Sequence, residues 1–295
     1  MTTDVKFDQR TVAMTVGMKR GPVRSSFKHA LLIAGGLVML YPLIWMLGAS
    51  FKEGEDIFSE VSPIPNPFIL DNYVRGWEGA GVGFGTFILN STVVALLSVI
   101  GNLVACTLAA YAFARMQFRG KTIFFACMMG MLMLPHHVLL IPQYVLFANF
   151  GWVNTILPLV VPKFLAVDAF FVFLMVQFLR GIPTELDQAA KIDGAGPWKT
   201  FFYVILPLLK PALATSAIFT FIWTWNDFLT PMIYLQDPRN YTVPLGLNAF
   251  LDASGDSAWG AMFAMAVVSL GPLFGFFLVG QKYLVQGIAT TGLKG

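Results

Sequence analysis

Nine side chains with hydrogen-bonding or ionic chemistry stand in otherwise apolar stretches: His136, His137, Gln143, Lys163, Asp168, Trp223, Trp225, Asn226 and Asp227. An ionisable group near the centre of a bilayer costs at least about 2.5–3.5 kcal/mol, so it is kept where it pairs, lines water or meets a substrate. Asn226, Asp227, Asp168 and Gln143 offer hydrogen bonds, and Trp223 and Trp225 offer flat apolar faces. That combination suits a polar ring held in passage. The same residues also have structural uses. Asp168 and Asp227 can pair with Lys163 or cap broken helices. Asn226 can join two helices, and His136–His137, after Pro135, can satisfy carbonyls at a kink.

Chemistry that breaks bonds is not indicated. Gly120–Lys121–Thr122 ends like a phosphate-binding loop, but that loop needs glycine where Arg115 stands and a strand where the pattern reads helix. No HExxH, CxxC or GxSxG motif occurs, and His29, His136 and His137 lack metal spacing. Cys106 and Cys127 fall in apolar runs and read as small buried hydrophobes. Nothing points to a cofactor in this chain or to nucleic acid.

Composition says what must position these residues. The chain is 57% apolar and 12% charged, with 28 Phe and a mean hydropathy of +0.70. Soluble domains carry roughly 25% charge. Here the surrounding solvent is lipid. A helix needs about 20 apolar residues to cross a bilayer. Six segments qualify: His29–Phe51, Phe87–Phe113, Thr122–Phe147, Val160–Leu179, Ile205–Leu235 and Trp259–Tyr283. The expected fold is all-α, with an N-terminal tail over 1–27, a transmembrane domain over 28–286 and a tail over 287–295.

Most of the 19 Lys and Arg precede the first span or follow the second, fourth and sixth. The positive-inside rule then puts both termini in the cytoplasm. Small residues at Gly48–Ala49–Ser50 are a weak cleavage cue, against a first apolar run too long for a signal peptide. Counted from Lys121, Lys210 and Arg180 at about 1.5 Å per residue, His136, Asn226 and Asp168 lie roughly 22, 24 and 18 Å deep. The common depth predicts one polar cavity opening outward between the third, fourth and fifth spans. Gly271 and Gly275 form a GxxxG that reads as helix packing.

The stretch "ELDQAAKIDGAGPWKTFFYVILP", Glu185–Pro207, falls on the cytoplasmic side. Thr184 and Asp187 resemble a capping box. Gly194 is placed to end the helix in the left-handed conformation, and Pro197 suits the start of the next element. A helix over Glu185–Asp193 is only about 13 Å long and must pack on something. Its Ala- and Gly-rich face lacks the bulky apolar side chains of a lipid-surface helix, which favours docking on protein.

These residues resemble the EAA loop of permeases of ABC importers, with Ala189–Ala190, Asp193–Gly194–Ala195 and Ile205–Leu206–Pro207 in the motif's places. "LNSTVVALLS", "AAYAFARMQFRGK" and "FIWTWNDFLTPMIYL" extend the resemblance over Lys28–Gly295, to the carbohydrate-importer branch. It implies a type I importer fold in a bacterial cell membrane, one half of a sugar channel. The implied partners are a second homologous permease, an ATPase dimer that binds ATP and Mg, and an extracytoplasmic binding protein. Glu185, Asp187, Gln188, Ala189, Ala190, Asp193 and Gly194 would couple to the ATPase. The motif's glutamate is Gln188 here, which keeps a hydrogen bond but not a charge; Glu185 or Asp187 could replace the charge. Relatives of this type also carry glycerol phosphate and uronic oligosaccharides, for which Lys163 would matter. The resemblance further implies that the loop Gln236–Ala258 enters the binding protein's cleft and that the tail Gly287–Gly295 reaches between the ATPases. A secondary transporter is the rival reading; it would show symmetric broken helices around a coupling-ion site, and no such repeat is evident.

Overall fold

The computed structural model describes residues 22–54, 56–59, 62–79, 81–252 and 258–291; the regular elements among them are all helices, without strands. Helix α1 is Pro22–Ala49, α2 Asp71–Glu78, α3 Phe84–Arg115, α4 Lys121–Leu132 and α5 Leu140–Asn149. Helix α6 is Ala169–Gly181, α7 Glu185–Ile192, α8 Lys210–Trp225, α9 Leu229–Tyr234, α10 Val243–Asp252 and α11 Trp259–Thr291. Among these residues α1, α3, the run Leu157–Gly181 and α11 are long and apolar enough to cross a membrane, and the count reaches six if each of two bent pairs is one span.

Helix α3 is the central post. It packs on α6, on Val161–Leu165 and on α8, and α8 packs in turn on α11. Its buried face carries Ser91, Ala95, Ser98, Gly101 and Asn102. Small side chains allow the close approach that van der Waals packing in lipid requires. Phe164 fills the groove at Gly101, where an added Cβ would stand 2.5 Å from the ring. Asn102 Nδ2 donates to Thr220 Oγ1 at 2.7 Å, joining α3 to α8 in the interior. Helix α1 packs on α11 and is otherwise largely exposed.

Two expected spans are broken. Thr122–Phe147 is not one helix: α4 and the segment His137–Asn149 meet at 98°. Pro135 has extended dihedrals there, and proline both removes a donor and pushes the preceding residue out of the helical region. Ile205–Leu235 is likewise divided. Pro197–Leu208 is bent 74° from α8, and α8 stops at Trp225, before the break that precedes α9.

Packing assigns several other residues differently from their sequence context. Gly48 supports Pro63, whose carbonyl oxygen would stand 1.8 Å from an added Cβ, and Ala49 and Ser50 are buried beside it. The small residues there serve this contact. Gly271 and Gly275 have nothing within 4 Å of an added Cβ, so their GxxxG does not pack against other helices among the described residues. Cys106 is buried but Cys127 is exposed. Much of the expected outer loop Gln236–Ala258 is the helix α10, with Val243, Leu245 and Phe250 in the core and Gly246 pressed on Phe87. Gly255, the residues 1–21 and the tail end Gly292–Gly295 lie outside the described residues.

Candidate functional site

The helix breaks meet around one cavity of about 460 Å³. Val94 of α3 forms one wall. His137 and Gln143 come from the segment after Pro135, Lys163 and Asp168 from the irregular turn before α6, and Trp223, Asn226 and Asp227 from the end of α8. Seven of the nine intramembrane candidates therefore share one space. Trp225 does not. It is buried at 3% exposure and stacks on Phe221 with ring centroids 5.6 Å apart. The side chain of His136 lies outside the described residues.

Each break is satisfied locally. Ala166 takes a left-handed φ of 55°, which ends the Val161–Leu165 turn and brings Lys163 Nζ to 2.8 Å from Asp168 Oδ2. Asn226 Nδ2 donates to the Ile222 carbonyl at 2.8 Å. Asp227 Oδ1 accepts from the Thr230 amide at 3.2 Å, at the start of α9. These residues thus do the structural work of broken helices and line the cavity as well. Trp223 is half exposed, its ring against Phe170, Phe171 and Phe219.

Two lining residues escaped the sequence reading. Tyr234 and Thr242 are buried at 1% and 3% exposure, line the cavity, and their hydroxyls have no hydrogen-bond partner among the described residues. Buried hydroxyls are normally paired. Both can donate and accept, as the hydroxyl of a bound ligand would require. Outside the cavity, Asn154 Oδ1 accepts from the amides of Gln236 and Asp237, tying two loops together. Hydrogen bonds from the Arg239 side chain and amide lower the Asp237 carboxyl to about 2.

The second constellation is the hairpin at the far end of α3. Ala195 N donates to Ala190 O at 2.8 Å and Gly194 N to Lys191 O at 3.1 Å, with Gly194 at φ 78°. This pair of bonds is the Schellman ending of a helix. The expected capping box does not form. Thr184 has helical dihedrals and no side-chain cap bond, and the Asp187 carboxylate turns instead to Arg115, 3.3 Å away. Asp187 is therefore engaged inside the chain and is not the free charge that would stand in for Gln188. Glu185, Gln188, Ala189, Asp193 and Gly194 are exposed, while Ala190 is buried against the chain. Ile192 is 86% exposed and Trp198 66%, which leaves an apolar edge on a polar hairpin.

Residues 101–290 match the family described as the binding-protein-dependent transport system inner membrane component. The chain belongs to this family. It is 34% identical to the probable ABC transporter permease protein YurM of Bacillus subtilis (strain 168), over 88% of this chain and 85% of that one. It is 34% identical to the trehalose/maltose transport system permease protein MalG of Thermococcus litoralis, over 91% and 98% of the two chains. It is 32% identical to the sn-glycerol-3-phosphate transport system permease protein UgpE of Yersinia pestis bv. Antiqua, over 89% and 95%. A chain of a bacterial ABC transporter involved in the import of the acidic polysaccharide alginate superposes with a TM-score of 0.77 over 95% of this chain and 99% of that one, at 22% identity, which establishes the fold. The protein is thus an ABC-importer permease, an inner-membrane transport component.

Proposed function

We propose that this permease forms half of the channel of an ATP-driven importer for a neutral sugar or oligosaccharide handed over by an extracytoplasmic binding protein. A second, homologous permease would complete the channel. The hairpin Thr184–Pro197 would dock an ATPase dimer that binds ATP and Mg and does all the hydrolysis, with both termini on its cytoplasmic side. Closure of the ATPases would draw the hairpins together and turn the paired permeases outward. The observation that carries this reading is the cavity, where the aromatic face of Trp223 and the hydroxyls of Tyr234 and Thr242, without a partner among the described residues, meet the helix breaks. Lys163 is already neutralised by Asp168 at 2.8 Å, and Asp227 adds a second carboxylate to the lining. That balance favours a neutral sugar over a phosphorylated or uronic one.

Reconstitution with the partner permease, ATPase and binding protein tests the reading. Uptake is expected to require both ATP and the binding protein. Tyr234→Phe removes one unpaired hydroxyl at constant volume. It is expected to raise the sugar KM about fivefold, as the loss of one ligand hydrogen bond does, with assembly unchanged. Wild-type affinity would remove Tyr234 from the pathway.

Gln188 is exposed on the docking side of the hairpin. If it meets a basic residue of the ATPase, Gln188→Glu is expected to keep or raise uptake, since charge-assisted hydrogen bonds are roughly twice as strong as neutral ones. Poor assembly of that variant would show a pocket adapted to a neutral side chain.

A further inference from the structure

Three basic residues end α3 or follow it: Arg115 in its last turn, Arg119 in the loop and Lys121 at the start of α4. Topology alone explains a positive charge at this depth, and Arg119 is exposed as that explanation requires. Arg115 is not. Its side chain is only 8% exposed. Its Nη2 donates to the Ile182 carbonyl at 2.6 Å, where the chain leaves α6 for the hairpin. Its Nε lies 3.3 Å from Asp187 Oδ2 on α7, and both atoms are buried yet off the line of a hydrogen bond. One turn earlier, Tyr111 Oη donates to the Pro197 carbonyl at 3.2 Å, and the Tyr111 ring rests on Phe201 at 4.9 Å. One face of α3 therefore grips the hairpin's entrance, its helix and its return arm.

We propose that Arg115 is a positioning residue for transport: it fixes the hairpin to α3, so that a push from the ATPase reaches the cavity. The proposal rests on reading the hairpin as the ATPase dock. The remainder of α3 supplies the path. At about 1.5 Å per residue its 32 residues span roughly 48 Å. Along that length it bonds to α8 through Asn102 and Thr220, and Val94 lines the cavity. Arginine suits the joint because its planar fork donates to the Ile182 carbonyl while its charge stands 3.3 Å from the Asp187 carboxylate. A lysine has the charge but can satisfy only the carbonyl or the carboxylate in one geometry.

The test is a double-mutant cycle in the complete complex with partner permease, ATPase and binding protein. The readout is sugar taken up per ATP hydrolysed by assembled complex. Arg115→Lys and Asp187→Ala are each expected to lower that ratio about tenfold while hydrolysis continues. The double variant is expected to be no worse than the poorer single one, because residues of one joint fail together. A normal ratio in Arg115→Lys, or losses that multiply in the double variant, would overturn the proposal. Should Arg115→Lys fail to assemble, Asp187→Ala decides: a lowered ratio supports the joint, and a normal one makes Arg115 a folding residue only. Gly194→Val separates this proposal from its premise. Impaired Gly194→Val with normal Arg115→Lys removes only the role of Arg115; normal uptake in Gly194→Val removes the dock itself.

Discussion

Gly194→Val is expected to cut ATP-driven uptake about tenfold or more while the permease still inserts and pairs. Gly194 stands at φ 78° and closes α7 through the bonds Ala195 N to Ala190 O and Gly194 N to Lys191 O. A β-branched residue at positive φ is a genuine outlier, and such strain costs about 1–3 kcal/mol. Nothing lies within 4 Å of an added Cβ, so the harm would come from the backbone and not from a clash inside the chain. The strained turn would open, and the edge that displays Ile192 and Trp198 would move. Gly194→Asn is the control, because asparagine visits the left-handed region far more readily than valine. Uptake and binding-protein-stimulated ATP hydrolysis in proteoliposomes check both variants. Wild-type uptake in Gly194→Val would remove the hairpin from coupling. Equal loss in Gly194→Asn would shift the cause from backbone strain to the side chain itself.

The six apolar segments and the hairpin were legible because both depend on local rules, segment length in lipid and glycine at positive φ. The breaks were only half legible. Pro135 breaks its span, yet Pro42 and Pro272 lie inside continuous helices. A proline is accommodated where neighbouring groups satisfy the freed carbonyl, and those neighbours belong to other parts of the chain. Trp223 and Trp225 are separable on sequence alone. Residues two apart on a helix point to nearly opposite sides, so only one of them could line the cavity. Tyr234 was out of reach, since its direction is set by α9, on the far side of the Asn226–Phe228 break. By residue type alone Arg115 is indistinguishable from Arg119, and both count among the basic residues that follow the second span. Burial distinguishes the two, and burial comes from the hairpin folding back on α3.

Asp168→Leu is expected to lower the assembled complex and to stop uptake in what remains. The substitution strands Lys163, whose ammonium now lies 2.8 Å from the Asp168 carboxylate with the two side chains 27% and 26% exposed. Breaking a buried pair by removing one partner costs about 3–5 kcal/mol, and a pair a quarter exposed loses somewhat less. The backbone role of Asp168 survives, because its carbonyl still accepts from the amides of Phe171 and Val172. Removing both charges relieves the stranded ion, and replacing a buried pair by apolar residues is often neutral. Lys163→Leu/Asp168→Leu is therefore expected to assemble as the wild type does. Its uptake should nevertheless stay below about a tenth of wild type, since leucines would replace polar lining with apolar walls that give a sugar's hydroxyls no partners, a loss comparable to two ligand hydrogen bonds. Uptake per assembled complex, measured for both single variants and the double, reads this directly. Recovery of uptake together with assembly would make the pair a structural counter-ion couple and take Lys163 and Asp168 out of the substrate's path.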